Sequence, residues 1–465
     1  MANEGTEHSL RRVLSAGDLV MLAIGAIIGF RIYGAGPALV FSLLLLGGAC
    51  ALAALCYAEL ASMIPQAGSA YAYCYATLGE FIAWIIGWDL ILKYAVGNVA
   101  VAISWGDYFT TLLRGFGLDL SVWLTTGYRT AALSSDPAVH GLVDTAPRLL
   151  GLPLLVNLPA FGIVLLITWQ LLRGVRESTT ANNAMVVVKL LALGLFIAVG
   201  LGNINPANYH PFAPNGFTGI HQGAAIVFFA YIGFDAVSTA AEETINPQRN
   251  LPIGILGGLA VCTLIYVIVG AVLTGMVPYQ QLAVADPLAR ALEIAGFTTV
   301  GWVVALGAAV SMAAVLLVFQ YGQPRIFFAM GRDGLLPQWA AKVNRRTRVP
   351  YVTTMLTGGL VSLAAAVGDA TETYDRTNIG TLFAFAFAFA LVCVGVLVLR
   401  VVEPERPRPF RVPLVWLIAP LGAVACAFIM IGVPSQASER FGLWLVAGLV
   451  VYFAYGYRHS RLRDV

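Results

Sequence analysis

A glycine and a carboxylate interrupt a segment that is otherwise apolar enough to enter a membrane. Residues 225–247 read AIVFFAYIGFDAVSTAAEETINP, with Gly233 and Asp235 inside the membrane-length stretch. Glycine lowers the cost of unwinding a helix, and unwound backbone in a bilayer is tolerated only where it lines a cavity or packs against protein. Secondary transporters bind substrate at interrupted helices of this kind. A kinked helix without a ligand is the alternative.

A second candidate break lies in the first apolar segment, where Ile28-Gly29-Phe30 repeats the tripeptide Ile232-Gly233-Phe234. Exposed carbonyls at a break suit an ammonium group, and free amides at the start of a half-helix suit a carboxylate. Glycines that only allow close helix packing are the alternative. The candidate substrate-binding residues are Gly25, Ile27, Ile28, Gly29, Phe30, Ala230, Tyr231, Gly233 and Phe234, and Phe234 is also a candidate aromatic gate.

Lys189 is the candidate proton-coupling residue. It follows Ser178 by about 16 Å along a helix, close to the middle of a bilayer, with apolar residues on both sides. An intramembrane ionisable residue is a functional candidate by default, and a buried lysine can trade a proton with its surroundings. The alternative is a lysine that satisfies carbonyls of the first break and couples nothing. The expected coupling ion is H⁺, and no cofactor is expected.

Other charges fall within or beside apolar segments. Asp89 and Lys93 are four positions apart with the acid first, the favourable order for a helical ion pair, so we expect them to neutralise each other as an intramembrane pair or gate. Asp235 is expected to cap the second half of its helix. An inner gate and a solvated face are alternative roles for Glu242, Glu243, Arg249, Arg332 and Asp333.

Composition sets the class of protein. The chain has 465 residues, of which 59% are hydrophobic and 11% charged, about half the charged fraction of a soluble protein. This predicts an all-α polytopic membrane protein. The six cysteines form no CxxC or metal spacing, and no intramembrane Ser/His pair, acidic metal cluster or phosphate-binding loop is present. We therefore expect no catalytic residue, no metal site and no enzyme activity.

The pattern predicts twelve transmembrane helices and one membrane domain. Residues 1–16 form an N-terminal tail, 17–457 the transmembrane domain and 458–465 a C-terminal tail, and the distribution of Lys and Arg places both tails in the cytoplasm. Two outer loops are predicted to hold a short helix within 137–150 and a lid helix that begins at Pro287 after Asp286. The predicted spans are 17–33, 37–61, 80–113, 154–173, 178–202, 218–245, 252–276, 299–329, 350–368, 377–401, 411–434 and 438–457.

Several motifs together resemble one family. They are GAIIG (25–29), YAELASMIPQAGSAYAY (57–73), GEFIAWIIGWDLIL (79–92), FFAYIGFDAVSTAAEETINPQRNLPIGI (228–255), FFAMGRDGLLPQWAAKVNRRTRVP (327–350) and NIGTLFAFAFA (378–388). The chain is similar to the amino acid–polyamine–organocation (APC) superfamily, and specifically to bacterial members of the cationic amino acid transporter (CAT) family. The resemblance covers essentially the whole chain.

The resemblance implies a LeuT-like fold of two inverted five-helix repeats, about 17–202 and 218–401, with two further helices at about 411–457. It implies broken helices 1 and 6, alternating access and proton coupling. In related transporters a helix 5 lysine takes the place of a sodium ion, and Lys189 matches that lysine. The implied location is the cytoplasmic membrane.

Two positions depart from the family pattern. Relatives continue GAIIG with a Gly-Thr-Gly-Ile-Phe type stretch, whereas this chain has Gly29-Phe30-Arg31, so helix 1 is expected to be shortened. Relatives also tend to carry glutamate where this chain has Lys93.

The function predicted is proton-coupled amino acid uptake. Because of these two departures, the alternative is a non-transporting or inactive scaffold or sensor on the same fold.

The sequence also indicates the partners. No acidic residue at the predicted site demands a cationic side chain, and Arg31 would repel one, so the expected substrates are neutral amino acids or a broad set. The other expected partner is the lipid bilayer. No nucleic acid is expected, and an accessory membrane subunit is left open.

Overall fold

The computed structural model describes residues 35–134, 136–149, 151–231, 233–282, 287–369, 379–431 and 435–461. The first predicted span, 17–33, lies outside them, and so do the candidate residues Gly25, Ile27, Ile28, Gly29 and Phe30. The main helices are α1 Leu39–Met63, α2 Ala70–Thr77, α3 Glu80–Gly115, α4 Leu158–Arg173, α5 Val175–Leu201, α6 Gly216–Tyr231, α7 Ala236–Thr239, α8 Pro247–Met276, α9 Pro287–Ile294, α10 Thr298–Arg332, α11 Tyr351–Val367, α12 Ile379–Val402, α13 Val415–Ile431 and α14 Ser435–Val451.

Shorter elements connect these helices. Single helical turns lie at Tyr128–Leu133, Pro137–His140, Leu142–Thr145 and Tyr457–His459, and a π-helical turn at Tyr452–Gly456. Strands β1 Arg148–Leu149 and β2 Leu152–Pro153 pair antiparallel. The 3₁₀ turns are Gly36–Ala38, Val122–Leu124, Pro206–Tyr209, Ala241–Glu243, Tyr279–Leu282 and Gln338–Ala341.

Helices dominate because a bilayer offers no hydrogen-bond partner to an exposed backbone. Among the described residues, six helices are long and apolar enough to cross a membrane, and four further apolar helices are shorter. Many of their large apolar side chains point outward, for example Leu191 at 69% and Leu264 at 62% exposure. Such a surface suits lipid rather than water. The predicted class, an all-helical polytopic membrane protein, agrees with this architecture.

Most of the principal helix pairs join helices that are distant in the chain, and α12 with α13 is a pair of consecutive helices. The principal partners are α1 with α8, α3 with α10, α4 with α11, α10 with α5 and α12 with α13. The last helix, α14, is fixed to α3 through indole rings: Trp88 and Trp444 stack at 4.5 Å between ring centroids. Each indole also donates to the backbone carbonyl of the other residue, at 2.9 and 3.2 Å. These contacts hold α14 against α3.

The predicted loop helices are present. The 137–150 region begins with two single-turn helices, the first capped by Asp136, whose carboxylate accepts from the Ala138 amide at 2.9 Å. Helix α9 begins at Pro287 as predicted and packs on α10. Asp286, the predicted cap of α9, lies outside the described residues.

Close packing of α4 on α11 yields the first testable prediction. A Cβ at Gly358 would lie 2.2 Å from the Thr168 hydroxyl oxygen, whereas a Cβ at the neighbouring Gly359 would meet no heavy atom within 4 Å. Gly358→Ala is therefore expected to lower the free energy of unfolding by about 1–3 kcal/mol through overpacking. Gly359→Ala, with the same gain in helix propensity, should leave it unchanged or slightly raised.

Thermal melting of the two purified variants in the same detergent checks this expectation. Equal melting temperatures for Gly358→Ala and Gly359→Ala would contradict the close approach of α4 and α11.

Candidate functional site

Helix α6 ends at Tyr231, and the next helical turn, α7, begins at Ala236. Residues 233–235 form the turn between them, closed by a hydrogen bond from the Ala236 amide to the Gly233 carbonyl at 3.0 Å. Gly233 has φ +145°, a backbone conformation that a side chain would strain. The turn is buried. Its glycine therefore has a local structural reason as well as a candidate binding role.

An aromatic cluster surrounds the turn. Phe234 is fully buried and contacts the rings of Tyr57 on α1 and Phe389 on α12, at 5.7 and 4.9 Å between centroids. Tyr57 and Phe389 also contact each other at 5.4 Å. Such ring pairs stabilise beyond simple area burial. Phe234 thus joins the turn to helices on both sides.

Tyr231 anchors the end of α6. Its hydroxyl donates to the Leu43 carbonyl of α1 at 3.1 Å, and its ring contacts Tyr266 of α8 at 5.6 Å. Ala230 precedes it in α6. The structure therefore brings Tyr231, Gly233 and Phe234 together at the end of α6.

Lys93 of α3 forms a buried ion pair with Asp235 in this turn. The ammonium nitrogen lies 2.8 Å from Asp235 Oδ2, and the two side chains are 3% and 0% exposed. The predicted pairing of Lys93 with Asp89 is therefore wrong. The turn after α6 carries a carboxylate directly to the ammonium group, and this tertiary contact replaces the helical one. Neither carboxylate oxygen of Asp89 has a hydrogen-bond partner among the described residues.

The expected capping role of Asp235 is also wrong. Asp235 occupies the position before α7, but its side chain makes no capping hydrogen bond there. Its backbone is helical, at φ −72° and ψ −26°, whereas a capping residue has extended backbone. The ammonium group of a buried lysine carries a full opposite charge and attracts the carboxylate more strongly than a backbone amide does. The carboxylate therefore points to Lys93 and away from the helix start.

Lys189 is buried inside the protein. Its neighbours Val187, Val188 and Leu191 on α5 are 48%, 42% and 69% exposed, while Lys189 itself is 3% exposed. Cys262 of α8 lies near it. The lysine thus faces α8 and away from lipid.

Ion pairs join the helices at one end of the bundle, which we call the basic end because Arg325, Arg332, Arg400 and Arg408 lie there. Arg325 of α10 binds Glu243 at 2.6 Å, with both side chains buried, and the Tyr321 hydroxyl also donates to Glu243. Glu59 of α1 accepts from Arg400 at 2.7 Å and lies 3.3 Å from Arg408.

Half-buried charges continue this arrangement. Arg332 binds Glu242 at 2.6 Å, and Glu242 also accepts from the Ala67 amide before α2. Asp333 accepts from the Tyr71 hydroxyl at 2.8 Å, and burial raises the pKa of its carboxyl. These charges thus pair across helices and do not form a solvated face.

Arg249 is exposed and lies apart from the ion pairs at the basic end. It lines a surface cavity of about 590 Å³ with Ile253 and Phe410.

The ion pairs of Arg325 and Glu59 and the contact of Tyr57 with Phe234 were not among the features predicted from the sequence. For the two charged residues the available signal was an ionisable group within an apolar helix. For Tyr57 the sequence holds no signal, because its contact with Phe234 is between distant helices. Among the described residues, no group of three or more His, Cys, Asp or Glu side chains could hold a metal ion.

Comparison with known proteins shows which family the chain is similar to. Residues 14–454 match the family model described as amino acid permease. The chain is 44% identical to the branched-chain amino acid permease BcaP of Bacillus subtilis, over 98% of this chain and 96% of that protein. It is 43% identical to the methylthioribose transporter of Bacillus subtilis, over 99% and 97% of the two chains. It is 38% identical to the vacuolar cationic amino acid transporter 4 of Arabidopsis thaliana, over 87% of this chain and 65% of that protein.

These matches confirm the family resemblance across nearly the whole sequence. They join relatives named for different substrates, all of them transporters and none an enzyme. The chain belongs to the amino acid permease family of the amino acid–polyamine–organocation superfamily.

Proposed function

We propose that this protein is an amino acid permease that takes up its substrate by alternating access, coupled to protons. The observation that carries the proposal is the similarity to BcaP, which extends over 98% of the chain. The turn at Gly233–Asp235 supports it, because a helix that stops inside the bundle exposes backbone groups that can bind a zwitterion.

The proposed architecture has twelve transmembrane helices in two inverted five-helix repeats with two further helices. Helix pairing supports it. Helices α1, α3 and α4 correspond to the second, third and fourth predicted spans, and they pack on α8, α10 and α11, the seventh, eighth and ninth. Partners five spans apart are what two related repeats facing each other would produce. The interrupted helices in this scheme are the first predicted span and the α6–α7 pair.

The proposed substrate site is formed by backbone groups of the first span and of the turn after α6. Carbonyls exposed near Ala230 and Tyr231 would bind the ammonium group, and amides of Gly25 to Phe30 the carboxylate. Phe234 would close over the ligand, and its contacts with Tyr57 and Phe389 would transmit that movement to α1 and α12.

Lys189 is proposed to couple transport to protons. It is buried, lies inside an apolar helix and faces the protein interior. An ionisable group in such a position marks a proton or ion pathway in many transporters.

Both termini are proposed to lie in the cytoplasm, because the loops that carry most arginines lie at the basic end and positive loops are retained on the cytoplasmic side. The proposed location is the cytoplasmic membrane.

The proposed substrates are neutral amino acids, with branched-chain ones first. Lys93 neutralises the Asp235 carboxylate in the turn, so that carboxylate is not available to bind a cationic side chain. Methylthioribose is a second candidate because a relative named for it is 43% identical. A non-transporting scaffold is not favoured, because the relatives that cover the chain are named as transporters.

Uptake into proteoliposomes tests the proposal. Purified protein is reconstituted, and entry of labelled L-leucine, L-arginine and methylthioribose is measured with and without an inward proton gradient. We expect L-leucine uptake that rises with the gradient. Uptake of methylthioribose alone would establish the second candidate. Folded protein that takes up none of the three would contradict the proposed function.

A further inference from the structure

The ion pair between Lys93 and Asp235 connects two elements of different kinds. Lys93 lies in the middle of the long helix α3, whereas Asp235 belongs to the turn between α6 and α7. Their charged atoms are 2.8 Å apart, and both side chains are almost completely buried. The turn is therefore attached to α3 at the residue that directly follows Gly233 and Phe234.

Further groups support the carboxylate from several elements. The Ser69 hydroxyl before α2 lies 3.5 Å from Asp235 Oδ2 and 3.3 Å from the Asp235 carbonyl. Beside Lys93, the titratable groups near Asp235 in the part of the chain that the structure describes are Tyr94 of α3, Tyr57 and Cys50 of α1 and Tyr73 of α2.

The tyrosines and the cysteine near Asp235 add no charge to the pair. Tyrosine and cysteine are neutral near pH 7. The Lys93 ammonium also lies 4.5 Å from the centre of the Tyr94 ring, a favourable cation–π distance. Asp89 is one turn earlier on α3, and its oxygens have no partner among the described residues.

We propose that Lys93 is a positioning residue of the transport site, which holds the Gly233–Asp235 turn in its substrate-binding shape by neutralising Asp235 without a proton. The inference rests on the proposed function and deepens it. A buried charge without a counter-ion is costly, so the group either takes up or releases a proton or forces its surroundings to rearrange. With both members present the pair is neutral overall, and the shape of the turn does not depend on pH.

Removal of either Lys93 or Asp235 makes the shape of the turn depend on pH. Whether substrate binding then rises or falls with pH is set by the residue that remains. In Lys93→Met the buried Asp235 carboxyl is tolerated only when protonated, so substrate binding is best at low pH and is lost as pH rises. In Asp235→Asn the buried Lys93 has lost this carboxylate, which favours its neutral form, so binding is best at high pH and falls as pH falls. Each single variant titrates one group, which allows up to about a tenfold change in affinity per pH unit.

The experiment uses full-length protein in proteoliposomes with the same pH inside and outside. Counterflow of labelled L-leucine gives the apparent affinity of wild type, Lys93→Met, Asp235→Asn and the double variant across the neutral pH range. Each profile is divided by that of the wild type, which removes the contribution of Lys189. Lys342→Met, at an exposed lysine in the loop after α10, is the matched control.

We expect opposite slopes for the two single variants and a flat ratio for the double variant and for Lys342→Met. Two flat single-variant ratios, or slopes of the same sign, would overturn the inference. A pair with a purely structural role would lower the yield and melting temperature of both single variants but leave the pH profile of L-leucine affinity parallel to wild type.

A failure of the proposed function is distinguishable. Wild-type protein that is folded but shows no L-leucine counterflow contradicts the proposed function. Wild-type counterflow with flat single-variant ratios contradicts only the role of Lys93.

Discussion

Lys189→Ala is expected to abolish proton-driven accumulation of L-leucine in proteoliposomes. If one proton moves with each amino acid, a gradient of one pH unit can support about tenfold accumulation. The variant should reach no more than equal concentrations on the two sides. The physical reason is that alanine has no group that can carry the proton, and the residues that flank position 189 on α5 are apolar.

The remaining activity of this variant separates coupling from folding. Counterflow of L-leucine at equal pH does not require net proton movement, so it should persist in Lys189→Ala. Lys342→Ala is the matched control, because it removes the same side chain from an exposed loop position. It should accumulate L-leucine as the wild type does. Accumulation by Lys189→Ala at the wild-type level would show that another group carries the proton, for which the carboxyl of Asp89, without a hydrogen-bond partner among the described residues, is the next candidate.

Features that depend on local sequence could be predicted. Helix lengths follow from apolar runs and bilayer thickness, and the predicted bounds of α3, 80–113, differ little from the observed Glu80–Gly115. The end of α6 follows from Gly233, because a glycine that adopts positive φ marks a turn. The burial of Lys189 agrees with its place inside an apolar segment, while its apolar neighbours Val187, Val188 and Leu191 lie on the exposed face of α5.

Features that depend on the tertiary fold could not be predicted. Asp235 is 142 positions from Lys93 in sequence, whereas Asp89 is one helical turn away, so local spacing favoured the wrong partner. Glu243 and Arg325 are 82 positions apart, and a pattern within one helix cannot connect them. The candidate residues Gly25 to Phe30 lie outside the described residues, so their predicted binding role stays a prediction.

Loss of either member of the Glu243–Arg325 pair is expected to destabilise the protein strongly. The guanidinium and carboxylate are 2.6 Å apart, with side chains 2% and 0% exposed. Glu243→Gln leaves Arg325 charged and buried without its counter-ion, and Arg325→Met does the same to Glu243. Breaking one side of a buried pair costs about 3–5 kcal/mol. Arg325 also stacks on the Tyr321 ring at 3.3 Å, so its packing is lost as well.

The combination of both changes separates charge from packing. In Glu243→Gln with Arg325→Met no buried charge is left, so the loss should be smaller than the sum of the two single losses. The exposed pair Arg290–Glu293, at 2.7 Å with side chains 47% and 56% exposed, provides the control. Its disruption by Glu293→Gln should cost no more than about 1 kcal/mol.

Melting temperature in detergent, supported by the fraction of monodisperse protein recovered, measures all four variants. Single-variant losses no larger than that of Glu293→Gln would mean that water or another group solvates the charges at the basic end. Strictly additive losses would mean that Glu243 and Arg325 act independently of each other. A double variant more stable than either single one would show that this pair, which joins α10 to the segment after α7, contributes through mutual neutralisation of buried charge.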